Sequence, residues 1–474
     1  MFKNQTFAKL VEAEKPTGEV VSVQDLLVII RGLEGASVSG VVLFENGGRG
    51  LIRAIRDTMV EVLTFTNEVA ILGTLAVLEN EVLEVGVGEA LIGRVVNALG
   101  EPLDGKGAIA TTAKAEVFAT APAIIEREAL SDQLVSGVAI VDGLFPIVLG
   151  QRIAILGDSK SGKSTFLRQL AHSQAKAGQV TIYVLIAKRQ VDVDVLISEL
   201  NANGIIKQTI VVVASSFDSL SQSYLAPYAA CAMGEHLWKA GKNVVVIYDD
   251  LSNHAKVYRE LSLLAGVSPG RESYPGDMFY THSSLLERAG RLRDGGGTFS
   301  AIPVISTPND DITTYLSTSI MSITDGQIVF DLQSLRKGIR PAVNVGLSVS
   351  RIGGLVQDLA WKEVTGQLFR KLSDYRQAAE FAQFGSELAP AARVDLELGR
   401  QIYEIFKQTP QELYDINTQF LMLATVLAGG GRNSLNIILL KQEAAQRSSE
   451  LTPDGDPAAL VQELLAKVVI QVVR

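Results

Sequence analysis

The stretch QRIAILGDSKSGKSTFLR, residues 151–168, constrains the fold more than any other part of the chain. An apolar run from Gln151 to Leu156 enters Gly157-Asp158-Ser159-Lys160-Ser161-Gly162-Lys163-Ser164, and a helical period follows through Leu167, Leu170 and Ala171. A strand that turns through glycines straight into a helix belongs in an α/β layer. The spacing also carries chemistry. Gly157 and Gly162 let backbone N–H groups turn inward onto phosphates at a helix N-terminus, Lys163 supplies a point charge, and the Ser164 hydroxyl can ligate magnesium. With Asp158, Ser159, Lys160, Ser161 and Thr165 these residues form the expected nucleotide-binding set. Binding of a nucleotide follows from the loop; hydrolysis does not.

At 474 residues the chain exceeds one ordinary core and is expected to divide into two to four domains. Forty-three Lys and Arg against 52 Asp and Glu leave a formal charge of −9, which disfavours the wrapping of nucleic acid. The one cysteine, Cys231, lies in the apolar stretch YLAPYAACAMGEHLW and reads as a small buried hydrophobe, in keeping with a reducing cytoplasm. No run approaches the ~18 apolar residues of a membrane span, and the N-terminus lacks a leader-like apolar core. Short alternating runs from about Thr17 to Glu84 predict a small closed β-barrel. NALGEPLDGKG, Asn97 to Gly107, reads as a Gly/Pro-rich connector. Beyond it the continuous apolar runs QRIAIL, TIYVLIA, QTIVVVAS, NVVVIYDD and FSAIPVIS predict a parallel sheet covered on both faces. From Leu355 on, apolar residues recur at three- and four-residue spacing, as in a helical bundle. The expected organisation is a barrel over 1–82, a P-loop (RecA-like) nucleotide-binding α/β domain over 83–354, and a helical domain over 355–474.

NVVVIYDD places Asp249 and Asp250 at the end of a buried strand. A carboxylate there can hold a magnesium-bound water, and Asp249 is the candidate. Asp250 reads equally well as the cap of the helix that follows.

Three further stretches, SPGRESYPGDMFYTHSSLLERAGR, YLSTSIMSITDGQIVF and GIRPAVNVGLSVSRIGG, resemble the α subunits of F-type ATP synthases, and the likeness extends over nearly the whole chain. The resemblance implies the same three-domain order. It also implies bound ATP or ADP with Mg2+, and a hexameric ring in which this chain alternates with catalytic β subunits. Further implied partners are the central-stalk γ subunit and the peripheral-stalk δ and b subunits. The membrane would be reached only through the complex, at the cytoplasmic face of the inner membrane.

In the β relatives a Glu just after the strand that follows the P-loop helix polarises the attacking water. Counting forward from Tyr183 puts Lys188 at that place, where most α chains have Gln, and a cation cannot act as that base. Lys188 by itself reads as a solvated strand-end charge, and Asp192 and Asp194 are weak substitutes for the missing carboxylate. The chain is therefore expected to hold nucleotide without turning it over. The alternative, a catalytic homohexameric export-type ATPase, would need the missing Glu. VNVGLSVSR alternates Val343, Val345, Leu347 and Val349 with small residues and is expected to be a well-anchored strand ending at Arg351. By resemblance Arg351 takes the place of the arginine that α inserts into the neighbouring β site. Arg340 and Pro341 match positions flanking the nucleotide base, and Gln408 matches a glutamine there, although Pro410 stands where a second glutamine is frequent. The sequence departs from the family in its shortened N-terminus, in GDSKSGKST for GDRQTGKT, and in GVSPGRE for RRPPGRE.

Overall fold

The computed structural model describes residues 4–66, 71–293, 296–383, 389–452 and 457–470. The chain forms two compact units, one of Met1–Ala129, Gly178–Ile305 and Thr318–Ile323, the other of Leu130–Ala177, Ser306–Ser317 and Thr324–Arg474.

In the first unit six strands close the expected barrel in the order Thr17–Gln24, Leu27–Gly32, Met59–Thr64, Arg49–Arg56, Val41–Phe44 and Leu75–Asn80. Alternation puts Val20, Val28, Ile30, Val42, Ile52 and Val62 inside it. A short helix, Gln5–Glu12, is capped by Asn4 and seats Phe7 on Leu43 and Val77. The same unit carries a parallel sheet ordered Val95–Asn97, Thr209–Ser215, Val180–Lys188, Val244–Asp249 and Thr298–Ser306. These strands are buried along nearly their whole length, as their largely apolar sequences require. The edge strand Val95–Asn97 leads into the expected connector, sharing Asn97 with it. Its turn is fixed by Asn97, whose Oδ1 accepts from the N–H groups of Leu99 and Glu101, and by the 2.7 Å pair of Arg94 with Asp104. Cys231 is fully buried on the helix Leu220–Lys239, where burial pushes its thiol up to about 12.

In the second unit Ala154–Gly157 pairs in parallel with Gly326–Phe330, and Val349–Ser350 adds an antiparallel edge. The helix Lys163–Lys176 buries Phe166, Leu167, Leu170 and Ala171, with the Phe166 ring 5.5 Å from that of Phe330. Its buried polar side chains tie it down elsewhere. Gln169 donates to the carbonyls of Thr409 and Glu412, and Ser173 and Gln174 both donate to that of Val135. The helical region consists of Leu359–Gln383, Pro390–Phe406, Ile416–Gly429, Ile437–Arg447 and Pro457–Val468.

One expected element differs. VNVGLSVSR is not a continuous strand: Asn344 Oδ1 accepts from the N–H groups of Gly346 and Leu347 and bends the chain into a turn, leaving Leu347 and Val349 exposed. Among the described residues no helix is long and apolar enough to cross a membrane.

Candidate functional site

The phosphate loop lies at the carboxyl end of Ala154–Gly157, where parallel sheets present their ligand sites. A Cβ at position 157 would stand 2.5 Å from the Phe330 carbonyl oxygen and 2.7 Å from Ser161 Oγ, so only glycine lets the strand turn there. Gly162, at φ 107°, opens the helix Lys163–Lys176 with no side-chain cap. The first N–H groups of that helix lack intrahelical partners by geometry, and together with the helix dipole they favour an anion. Lys163 Nζ donates to the carbonyls of Gly157 (2.5 Å) and Asp158 (2.8 Å), which places the ammonium inside the loop. Asp158 braces the loop from the side, its Oδ1 accepting from the N–H of Ser159 and its Oδ2 from that of Asn309. Ser161 Oγ is buried without a hydrogen-bond partner, while Ser159, Lys160 and Ser164 face solvent. Thr165 Oγ1 lies at 3.5 Å from Arg168 Nη2. An open cradle, uncapped N–H groups and an enclosed ammonium fit the phosphates of a nucleotide.

Two more sequence candidates meet in the same unit. The Gln408 N–H donates to the Arg340 carbonyl at 3.0 Å, next to Pro341, and Gln169 of the loop helix bonds the adjoining Thr409. The Gln408 side chain, however, is buried and committed to backbone: Oε1 accepts from the Ala139 N–H, and Nε2 donates to Gly137 and Glu412. The structure gives it a bracing part, and Arg340 remains exposed beside it.

Arg351 sits elsewhere. Its N–H donates to the Asp325 carbonyl at 3.0 Å and its Nη1 to that of Thr324 at 3.1 Å. Asp325 in turn is clamped by Arg152 through Nη2 (2.7 Å), Nε (3.1 Å) and the backbone N–H (3.0 Å). Sequence reasoning missed this pair, although both residues lay in stretches it had singled out. Arg152 and Asp325 stand at the amino ends of the two parallel strands whose carboxyl ends are Gly157 and Phe330. Five residues at ~3.3 Å each separate the two ends by roughly 16 Å. Arg351 and the phosphate loop thus occupy opposite ends of one strand pair.

In the other unit Asp250 caps the helix Leu251–Leu264, its Oδ1 accepting from the Asn253 N–H. Asp249 is buried at its strand end, with Lys188 Nζ 2.7 Å from Oδ1 and the Tyr183 hydroxyl 3.4 Å from Oδ2. Lys188 also reaches Asp250 Oδ2 at 3.2 Å. It is therefore no solvated strand-end charge. Burial alone would push its pKa down, but the attraction of Asp249 and Asp250 outweighs it and holds the ammonium above its ordinary value. Asp192 is paired with Arg189, and Asp194 accepts from Gln190 on the same exposed helical turn. Among the described residues no three His, Cys, Asp or Glu side chains converge as a metal cage. A magnesium ion would draw most of its ligands from phosphate and water. Ser164 fits that arrangement, whereas the carboxylate of Asp249 already carries a cation.

Comparison with known proteins agrees with this geometry. Residues 137–350 match the nucleotide-binding domain of the ATP synthase alpha/beta family, and residues 357–433 match the C-terminal domain of its chains. The ATP synthase subunit alpha of Ehrlichia chaffeensis is 41% identical over 423 residues, covering 87% of this chain and 82% of the relative. That of Caldanaerobacter subterraneus is 41% identical over 428 residues, covering 90% and 84%. That of Clostridium botulinum is 41% identical over 414 residues, covering 87% and 82%. With such identity spread over barrel, nucleotide-binding and helical parts, the chain belongs to the ATP synthase alpha/beta family, and within it to the alpha subunits.

Proposed function

We propose that this chain binds ATP or ADP without hydrolysing it and lends Arg351 to the catalytic site of a neighbouring β subunit. As an alpha subunit it is part of the ATP synthase complex, which makes and hydrolyses ATP. The observation that carries the division of labour is the strand pair with a phosphate loop at one end and an anchored arginine at the other. A guanidinium roughly 16 Å from its own loop cannot stabilise charge there, whereas an exposed one can reach another chain. The cation at Lys188, where a hydrolytic site needs a carboxylate, supports the same reading.

The remaining assignments belong to this proposal. Gly157 to Thr165 hold the phosphates, Arg340 and Pro341 flank the base, and Gln408 braces them. Magnesium would be held by Ser164 together with phosphate and water. The three domains run over 1–82, 83–354 and 355–474. The chain alternates with β in a ring around γ, is attached by δ and b, and stands at the cytoplasmic face of the inner membrane.

The test is steady-state ATPase of the purified chain, alone and with a β subunit. The expected result is negligible turnover alone and vigorous turnover in the complex, lowered by roughly 10³-fold in Arg351→Ala, as for other trans arginines. Turnover of order 1 s⁻¹ by the isolated chain would instead support the homohexameric export-type alternative.

A further inference from the structure

The turn that braces the phosphate loop from the side also walls a small cavity within the second unit. The Thr307 N–H donates to the Gly157 carbonyl at 3.0 Å and the Asn309 N–H to Asp158 Oδ2 at 2.8 Å, so the turn is fastened to the loop at two points. Asn309 and Asp310 both stand in the left-handed region, at φ 59° and 58°. Asn and Asp tolerate that region better than other residues with a Cβ, but the conformation persists only where its surroundings hold it. Asp310 Oδ2 accepts from the Leu332 N–H at 3.1 Å, which brings this carboxylate to the same cavity as that of Asp331, the cap of the short helix Leu332–Arg336.

The cavity has a volume of about 160 Å³. At ~30 Å³ for each water that is room for about five water-sized groups. Its polar wall is made by Thr307, Asp310, Asp331, Gln333 and Asn344, and no Lys, Arg or His lines it. Among the described residues neither Thr307 Oγ1 nor Asp310 Oδ1 has a hydrogen-bond partner, although Thr307 is 0% exposed. Asp331, 5% exposed, accepts from the N–H and the hydroxyl of Ser334, and each of its oxygens keeps a second lone pair. Buried oxygens left unpaired are costly, most of all on a charged group. Water can pair with them, but only a cation also balances two carboxylates in one small space. The donors are all oxygen, which selects a hard ion over a soft one, and two carboxylates with room for water are what magnesium-like ions use.

We propose that this cavity is a site for one partly hydrated divalent cation of the magnesium class, held by Asp310, Asp331 and the Thr307 hydroxyl, with water in the remaining positions. The ion needs no phosphate, in contrast to the magnesium assigned to Ser164, and binds the chain with or without nucleotide. Its part is to stiffen the turn at Thr307 to Asp310, and through the N–H groups of Thr307 and Asn309 the phosphate loop beside it.

The test is titration of the nucleotide-free, full-length chain with Mn2+, read as loss of the free ion's paramagnetic resonance signal, with Mg2+ as competitor. Wild type is expected to take up about one Mn2+ with a dissociation constant below ~1 mM and to release it to excess Mg2+. Asp310→Asn keeps an oxygen for the Leu332 N–H while removing the charge, and is expected to weaken the binding roughly tenfold or more. Ser164→Ala removes the hydroxyl assigned to nucleotide-bound magnesium and is expected to bind Mn2+ as wild type does. A wild-type chain with no saturable uptake below ~1 mM overturns the proposal, the cavity then holding water alone, and that arm decides even if a variant does not fold. A folded Asp310→Asn chain that binds within about twofold of wild type overturns it too. So does loss of the ion in Ser164→Ala, which would assign it to the phosphate loop.

Discussion

Replacing Arg152 by glutamine separates the holding of Arg351 from Arg351 itself. Arg152 touches no ligand in the proposed scheme; it clamps Asp325, whose carbonyl, with that of Thr324, anchors the main chain and guanidinium of Arg351. The Arg152 and Asp325 side chains are 29% and 24% exposed, so their loss costs about 1 kcal/mol of stability, the upper end for a partly solvated pair with good bidentate geometry. The kinetic cost is larger. A trans-acting cation displaced by ~1 Å forfeits up to ~10²-fold in rate, so ATPase of the complex with β should fall roughly 10- to 100-fold, less than the ~10³-fold expected for Arg351→Ala. The fall should lie in kcat, with ATP binding to the variant chain alone unchanged and its thermal midpoint lowered by only a few degrees. Arg152→Lys should be intermediate, since an ammonium meets one carboxylate oxygen where the guanidinium meets two. A complex of the glutamine variant that keeps its rate within about twofold would refute the anchoring argument, as would a variant chain that loses its own nucleotide.

Three further outcomes are expected. Gly157→Ala should abolish ATP binding in calorimetry and lower stability by about 2 kcal/mol or more, because the new Cβ meets the Phe330 carbonyl oxygen, a backbone atom that cannot swing aside, at 2.5 Å. Glu235→Ala strands Arg288, which is 1% exposed and held by Glu235 at 2.6 and 2.7 Å and by the Val117 carbonyl; urea unfolding should register a loss of about 3–5 kcal/mol. Burial depresses His254 from 6.5 to about 4, and burial together with His254 holds His282 well below its ordinary value. Their neutral forms therefore add stability that is complete above pH 6.5 and is lost as the pH falls toward about 4, because the unfolded chain binds protons the folded one refuses. The urea midpoint should drop steadily from pH 7 to about 5, and His254→Asn with His282→Gln should flatten that slope.

The parallel strands were legible because each is a run dominated by Val, Ile, Leu and Ala with few polar residues inside it, and the phosphate loop because its glycines have fixed offsets. Asp250 was legible as a cap because its partner, the Asn253 N–H, is three residues away. What escaped has partners far along the chain. Lys188 reaches a carboxylate 62 positions on, and the amide of Gln408 answers to Ala139 and Gly137, 269 and 271 positions back. No local pattern encodes such pairings. The strand expected before Arg351 failed for a different reason: VNVGLSVS has the alternation of a strand, but the Asn344 side chain offers the backbone a competing turn. Val95–Asn97 went unread as a strand because three residues ending in Asn97, the first residue of the expected connector, carry too little pattern to register as one.

The glutamine bonds of the loop helix carry a mechanical consequence. Gln169 joins Lys163–Lys176 to the segment after Phe406, and Gln408 in that segment grips Gly137 and Ala139, so short directional bonds run from the loop helix into that segment and on to the chain at 137–139. Any movement that phosphate binding imposed on the helix would be passed through those bonds to the segment after Phe406. By thermodynamic reciprocity, a partner whose binding shifted that segment would change the affinity for phosphate by the same factor as phosphate changes the partner's.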